Sequence, residues 1–141
     1  MMDVGNPEHP PPSRPWRLLL CDDSSLERAA LSHYLRDQGY EVEEAADGEA
    51  GLSQLKNRQV DLIVLDLHMP GIDGFDVLAY LQEHRPGLPV ILLSGMPADD
   101  IQPRIHRLPK HELPPLLIKP VEPIQILNLI EASLAGELPI R

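Results

Sequence analysis

The sequence predicts an α/β domain whose parallel strands are covered by helices on both faces, and three observations carry that prediction. Four short apolar runs fit strands buried on both sides, and a shorter segment at residues 42–45 supplies a fifth. Between them lie longer stretches in which apolar residues recur at helical spacing, so successive strands are parallel and joined by right-handed crossovers. The four apolar runs stop on polar side chains, at Asp22-Asp23, Asp66, Ser94 and Lys119, which places these groups along one edge of one sheet. In open α/β sheets the carboxyl edge of the strands is where ligands bind.

In chain order, Arg17-Leu18-Leu19-Leu20-Cys21 reads as the first strand. Ser24 and Glu27 then match a Ser-x-x-Glu capping box that opens a helix, with Leu31, Tyr34 and Leu35 inward and Gly39 closing it. After the strand at 42–45, Asp47 can cap a helix over 48–57 whose inner face carries Leu52 and Leu55. Leu62-Ile63-Val64-Leu65-Asp66 is the central strand, ended by Met69-Pro70-Gly71. A helix from Asp73 or Gly74 to about His84 turns Val77, Leu78 and Leu81 inward and stops at Pro86-Gly87. Residues 89–93 form a fourth strand and 116–118 a fifth, followed by a last helix from Pro123, a residue suited to the first helical position, to about Ala135.

The fourth crossover is the irregular one. Pro97, Pro103 and Pro109 interrupt residues 95–115, and an interior proline costs ~3 kcal/mol in a helix. The expectation is at most a short helix starting near Pro103, with irregular chain on either side.

Composition sets the class. A chain of 141 residues with 43% hydrophobic content is enough for one domain with a real core, and 4% aromatics mean that Leu, Ile, Val and Ala build it. The net charge of −10 argues against general binding to nucleic acid or an anionic membrane. A single cysteine, Cys21, fits a reducing, cytoplasmic setting, and its place on a buried strand reads as packing rather than redox chemistry. Residues 1–15 hold five prolines among polar residues and no apolar signal-peptide core. They read as a disordered or polyproline-like lead-in, passive or a docking peptide. No run approaches the ~20 apolar residues a bilayer span needs.

Three carboxylates brought to one edge repel one another, by on the order of 4 kcal/mol per pair at about 4 Å and an effective dielectric of about 20. Such a cluster persists if one acid is protonated or a cation sits among them. With no His or Cys side chain in the set, a hard cation such as Mg²⁺ is favoured, and it would await a phosphate. A carboxylate can itself accept the phosphoryl group, giving an acyl phosphate.

The chain resembles the receiver domain of two-component response regulators from about residue 17 to 135. The residues that carry the resemblance are Cys21-Asp22-Asp23-Ser24, Ala46-Asp47-Gly48, the run from Asp61 through Asp66-Leu67-His68-Met69-Pro70-Gly71 to Gly74, Leu93-Ser94-Gly95 and Ile118-Lys119-Pro120. The resemblance implies a flavodoxin-like, doubly wound sheet of five parallel strands in the order 2-1-3-4-5. It implies Asp66 as phosphoacceptor from a histidine kinase or phosphotransfer protein, and Mg²⁺ held by Asp22, Asp23, Asp66 and the backbone carbonyl of His68. By the same likeness Ser94 would hydrogen-bond the phosphoryl group and Lys119 would pair with it, through a cis Lys119–Pro120 bond. A phosphoryl group adds roughly −1.5 to −2 charges, and the response would be a shift between two surface conformations read by a downstream protein. The expectation is a stand-alone receiver with no output domain in this chain, and not a conventional enzyme beyond promoting its own phosphorylation and dephosphorylation. The resulting division is a tail over 1–15, a receiver over 16–135 and a tail over 136–141.

Two departures from that pattern bear on the readout. Leu116 stands three positions before the lysine, where receivers usually carry an aromatic switch residue. The irregular crossover bears Arg104, His106, Arg107, Lys110 and His111, which read either as a solvated loop or as a docking patch for an acidic partner. The last helix is apolar on more than one face: Leu127, Ile130 and Leu134 on one, Ile126 and Leu129 on another. The second face fits either a wide contact with the sheet or a homodimer or effector interface. His68, two residues after the acceptor, fits an exposed imidazole or a modulator of dephosphorylation. Two rival functions are a degenerate receiver acting as a phosphorylation-independent adaptor, and an aspartyl-nucleophile phosphatase. The phosphatase would need a second acid where His68 stands.

Overall fold

The computed structural model describes residues 14–110 and 113–136. The elements are β1 (Arg17–Cys21), α1 (Ser25–Asp37), β2 (Glu41–Ala45), α2 (Gly48–Asn57), β3 (Leu62–Asp66), α3 (Gly74–His84), β4 (Val90–Ser94), α4 (Ala98–Ile105), β5 (Leu116–Ile118) and α5 (Pro123–Leu134). All pairings are parallel and the sheet order is β2-β1-β3-β4-β5, as the family resemblance implies.

Alternation along the two central strands divides the core into two layers. Leu19 and Cys21 of β1 and Ile63 and Leu65 of β3 face Leu55, Val77, Leu78 and Leu81 from α2 and α3. Leu18, Leu20, Leu62 and Val64 face the other way, against Leu31 and Leu35 of α1 and Ile126, Leu127 and Ile130 of α5. Each fully buried Leu or Ile in these layers is worth about 1.5–3 kcal/mol against exposure. Register fixes the edge: Cys21 pairs with Leu65 and Ser94 with Ile118, so Asp22, Asp66, Ser94 and Lys119 fall together at the carboxyl ends.

The structure corrects three expectations. α4 starts at Ala98, not near Pro103, and Pro103 lies inside it. The proline removes one N–H from a helix of eight residues, while burial of Ile101, Ile105 and the following Leu108 outweighs the ~3 kcal/mol it costs. Ser24 does cap α1 by accepting from the Glu27 N–H at 3.3 Å, but the Glu27 carboxylate does not return to close the box. Ile126 is buried at 3% exposure and so offers no partner surface; the apolar width of α5 is spent largely on the sheet. Leu129 and Leu116 are half-buried and pack against the two core layers.

Residues 1–13 of the expected lead-in, the tail over 137–141 and His111 lie outside the described residues. Arg14 is tied to the domain, with its guanidinium on the Asp61 carboxylate at 2.8 Å and 3.3 Å.

Candidate functional site

Asp66 ends β3 at 2% exposure. Its Oδ1 accepts the His68 backbone N–H at 2.9 Å and its Oδ2 accepts from Lys119 Nζ at 3.0 Å. The turn that delivers the His68 N–H is held by close packing. A Cβ on Gly74 would collide with the backbone of Asp66 and Leu67, so glycine lets the start of α3 sit directly behind the carboxylate.

Asp22 follows β1 and is equally buried. Its N–H donates to the Ala45 carbonyl at 3.1 Å, its Oδ1 accepts from the Ser24 N–H at 2.9 Å, and its Oδ2 lies 3.2 Å from Lys119 Nζ. Asp23 beside it is exposed. One carboxylate oxygen from each of Asp22, Asp23 and Asp66 falls within 4.8 Å of the others. That all-oxygen, largely buried set fits a hard divalent cation, because its three negative charges exceed what one ammonium balances.

Lys119 reaches the cluster from the end of β5, which its own N–H continues by donating to the Ser94 carbonyl at 2.8 Å. The Lys119–Pro120 bond is cis. Nζ donates to Asp22, Asp66 and Glu27, the last at 2.8 Å. Burial lowers the Lys119 pKa, but its hydrogen bonds to Glu27 and Asp66 more than reverse this and keep the ammonium charged well above neutral pH. Burial raises the Asp66 pKa, and the nearby Asp22 charge adds to that. The His68 N–H and Lys119 oppose the shift without cancelling it. Cys21, next to Asp22 in sequence, is pushed up to about 12, first by burial and then by the surrounding carboxylates. It stays a thiol, donating weakly to the Asp47 carbonyl.

Ser94 is fully buried, and its hydroxyl is engaged in its own loop. Oγ accepts the Met96 N–H at 3.0 Å and lies 3.4 Å from the Met96 carbonyl. The structure thus brings Asp22, Asp23, Asp66 and Lys119 together and leaves the Ser94 hydroxyl on Met96. The His68 side chain is exposed.

Two residues at the edge were not singled out from the sequence. Glu27, whose Ser-x-x-Glu spacing fits a cap, stands in the first turn of α1, directly after the Asp22-Asp23 edge, and its carboxylate accepts from Lys119 Nζ instead. Arg28 donates to the Asp22 carbonyl at 2.7 Å and to Glu44 at 3.1 Å, tying α1 to the ends of β1 and β2.

Of the basic residues around α4, Arg104 sits 3.8 Å from Asp73 and 5.3 Å from the centre of the Phe75 ring, so much of its charge is used within the domain. Arg107 is exposed. No helix among the described residues is long and apolar enough to cross a membrane.

The sequence profile of the response regulator receiver domain matches residues 18–131. A Pseudomonas aeruginosa response regulator, FleR, is 32% identical over 123 residues, covering 87% of this chain and 25% of its own. The Streptomyces coelicolor transcriptional regulatory protein AfsQ1 is 46% identical over 84 residues, 60% of this chain and 36% of its own. The chain therefore spans well under half the length of these relatives. Among solved structures, a receiver domain protein (CheY-like) from Methanospirillum hungatei superposes with a TM-score of 0.78 at 26% identity, covering 87% of this chain and 96% of its own. The receiver domain of an HD domain-containing protein from Pseudomonas fluorescens gives 0.78 at 27%, covering 88% and 98%.

Proposed function

The chain belongs to the response regulator receiver family, and from that premise we propose that it is a phosphorylation-controlled signalling module in which Asp66 accepts the phosphoryl group. The observation that carries this reading is the geometry at the end of β3. A buried carboxylate there has one oxygen held by a backbone N–H and the other within 3.0 Å of an ammonium, beside two further aspartates.

The donor would be a histidine kinase or a phosphotransfer protein. An Asp66 oxygen attacks phosphorus, the P–N bond of the phosphohistidine breaks, and the imidazole leaves with the bonding pair and takes up a proton. The His68 N–H steers which Asp66 oxygen is free to react, since the bond to Oδ1 fixes the carboxylate plane. Lys119 is charged across the working pH range and is placed to meet the negative oxygens as transfer proceeds. Asp22, Asp23, Asp66 and the His68 carbonyl would hold Mg²⁺, which when bound supplies charge neutralisation at the phosphoryl oxygens.

Ser94 is the part that would move. Its hydroxyl would exchange Met96 for a phosphoryl oxygen, and the loop that follows β4 would shift with it. Leu116 replaces the aromatic residue usual at its position, so the change would pass through the β4–α4 loop rather than through a rotating ring. A downstream protein would read that altered surface. The exposed Arg104 and Arg107 and the half-buried Leu116 and Leu129 would be its contacts, and a homodimer through α5 would have to use the edge of that helix rather than Ile126. We place the protein in the cytoplasm, where such a donor would meet it.

Intact-mass spectrometry after incubation with Mg²⁺ and acetyl phosphate tests the reading. One added phosphoryl group on the wild type and none on Asp66→Ala is the expected result. No adduct on the wild type, with a phosphohistidine donor failing as well, would favour an adaptor that works without phosphorylation.

A further inference from the structure

The ammonium of Lys119 has three protons and three carboxylate acceptors, Glu27 at 2.8 Å, Asp66 at 3.0 Å and Asp22 at 3.2 Å. Two of those acceptors belong to the cluster that can hold a divalent cation, and the third does not. Lysine and cation therefore draw on the same two carboxylates, Asp22 and Asp66. We infer that Glu27 is a positioning residue that retains Lys119 at the rim of the site when a divalent cation takes the Asp22 and Asp66 oxygens, and so sets the affinity for that cation. The inference rests on the proposed reading of Asp22, Asp23 and Asp66 as the Mg²⁺ site.

Charge and placement support it together. Without Glu27, an ammonium pushed off both aspartates would exchange two ionic hydrogen bonds for water alone. With Glu27, the shortest of its three contacts survives the exchange. The lysine side chain is 21% exposed and the Glu27 side chain 58%, so the pair can swing outward with no change in either core layer. Glu27 stands in the first turn of α1, where a carboxylate is also favoured by the helix dipole. Arg28, the adjacent cation, is committed to Glu44 and the Asp22 carbonyl and does not neutralise Glu27. The carboxylate is free to follow Lys119 because it does not close the capping box that the Ser-x-x-Glu pattern offered.

The test is a calorimetric Mg²⁺ titration of the full chain as wild type, Glu27→Gln, Lys119→Met and the double variant. Glu27→Gln is expected to weaken Mg²⁺ binding about five- to tenfold, the size of one net hydrogen bond at a solvent-screened site. In the Lys119→Met background the same change is expected to alter the dissociation constant less than about twofold, because the partner through which Glu27 acts is gone. If Lys119→Met does not fold, Lys119→Gln provides the background. An effect of Glu27→Gln that persists undiminished without the lysine overturns the inference, since Glu27 would then act as a ligand or as bulk negative charge. So does wild-type affinity in Glu27→Gln. A wild type that binds no Mg²⁺ removes the metal reading itself, a result distinct from wild-type binding that Glu27→Gln leaves unchanged.

Discussion

Two aspartates bracket β3, Asp61 just before it and Asp66 at its end, and each accepts one backbone N–H and one cationic side chain. Asp61 receives the Arg17 N–H at 2.7 Å and both terminal nitrogens of Arg14; Asp66 receives the His68 N–H and Lys119. The outcomes are opposite. Burial pushes the Asp61 carboxyl upward, but Arg14 and the Arg17 N–H prevail and hold it below the usual carboxylate range. Asp66 is driven above that range by burial and by Asp22, despite its own two donors. The difference lies first in burial, which is deeper at Asp66, and then in the Asp22 charge beside it and in how the cation is shared. Arg14 serves Asp61 through a two-pronged pairing, whereas Lys119 divides itself among three carboxylates and leaves Asp66 incompletely neutralised. One end of the strand is a structural tie; the other carries the carboxylate proposed to accept the phosphoryl group.

The strongest way to sharpen that contrast is to remove the shared cation. Lys119→Met should slow phosphoryl uptake from acetyl phosphate on the order of 100-fold, as loss of one aimed donor does at a developing negative charge. Rates from intact-mass time courses check it. Ser94→Ala should slow uptake by about tenfold or less, because its hydroxyl is not yet on the acceptor, and should cost about 1 kcal/mol of stability through the lost Met96 contact. Urea denaturation measures the second part.

Asp61→Asn should leave uptake unchanged and lower stability by about 1–2 kcal/mol at pH 7. Its pH dependence carries the sign. The folded-state pKa of Asp61 is depressed, so its stabilisation is present above the ordinary carboxylate value and is lost as pH falls through the folded one. The difference between wild type and Asp61→Asn should therefore shrink on acidification. Asp66→Asn should behave in the opposite sense. A raised pKa means the ionised form is disfavoured by folding, so the variant should gain stability at pH 7 and lose that gain as pH falls below the unfolded value. Parallel urea series at pH 7 and in the acid range would break the comparison if both variants shifted the same way.

Much of this was legible in the chain. The strands were readable because four of them are apolar throughout, and Asp22, Asp23, Asp66 and Lys119 because each follows such a run at the same edge. The helix start at Asp47 followed from a side chain that can cap, and it does, whereas the choice between Asp73 and Gly74 is settled by the Asp73 side chain capping α3. What was misread had two physical solutions with one sequence signature. A Glu three residues after a Ser can close a cap or reach a neighbouring lysine, and only the position of β5, some ninety residues away, decides it. Pro103 forbids one hydrogen bond, but whether that ends a helix depends on the burial of Ile101 and Ile105, a tertiary quantity. Helical spacing placed Ile126 on a second face without showing how far the sheet wraps around α5. Arg14 looked like part of a proline-rich lead-in because its partner, Asp61, is distant in sequence.

The two-layer alternation of β3 has an evolutionary consequence. Because Leu62 and Val64 face one layer while Ile63 and Leu65 face the other, losing or gaining one residue would exchange the two sets and move Asp66 along the strand by about 3.3 Å. No half-measure of that change retains either the packing or the place of Asp66 beside Lys119. The strand can therefore diversify by exchanging side chains in place but not by altering its length. The segment between β4 and β5, pinned chiefly by Ile101, Ile105 and Leu108, is where a lineage can add and remove residues and so acquire new partners without disturbing the chemistry.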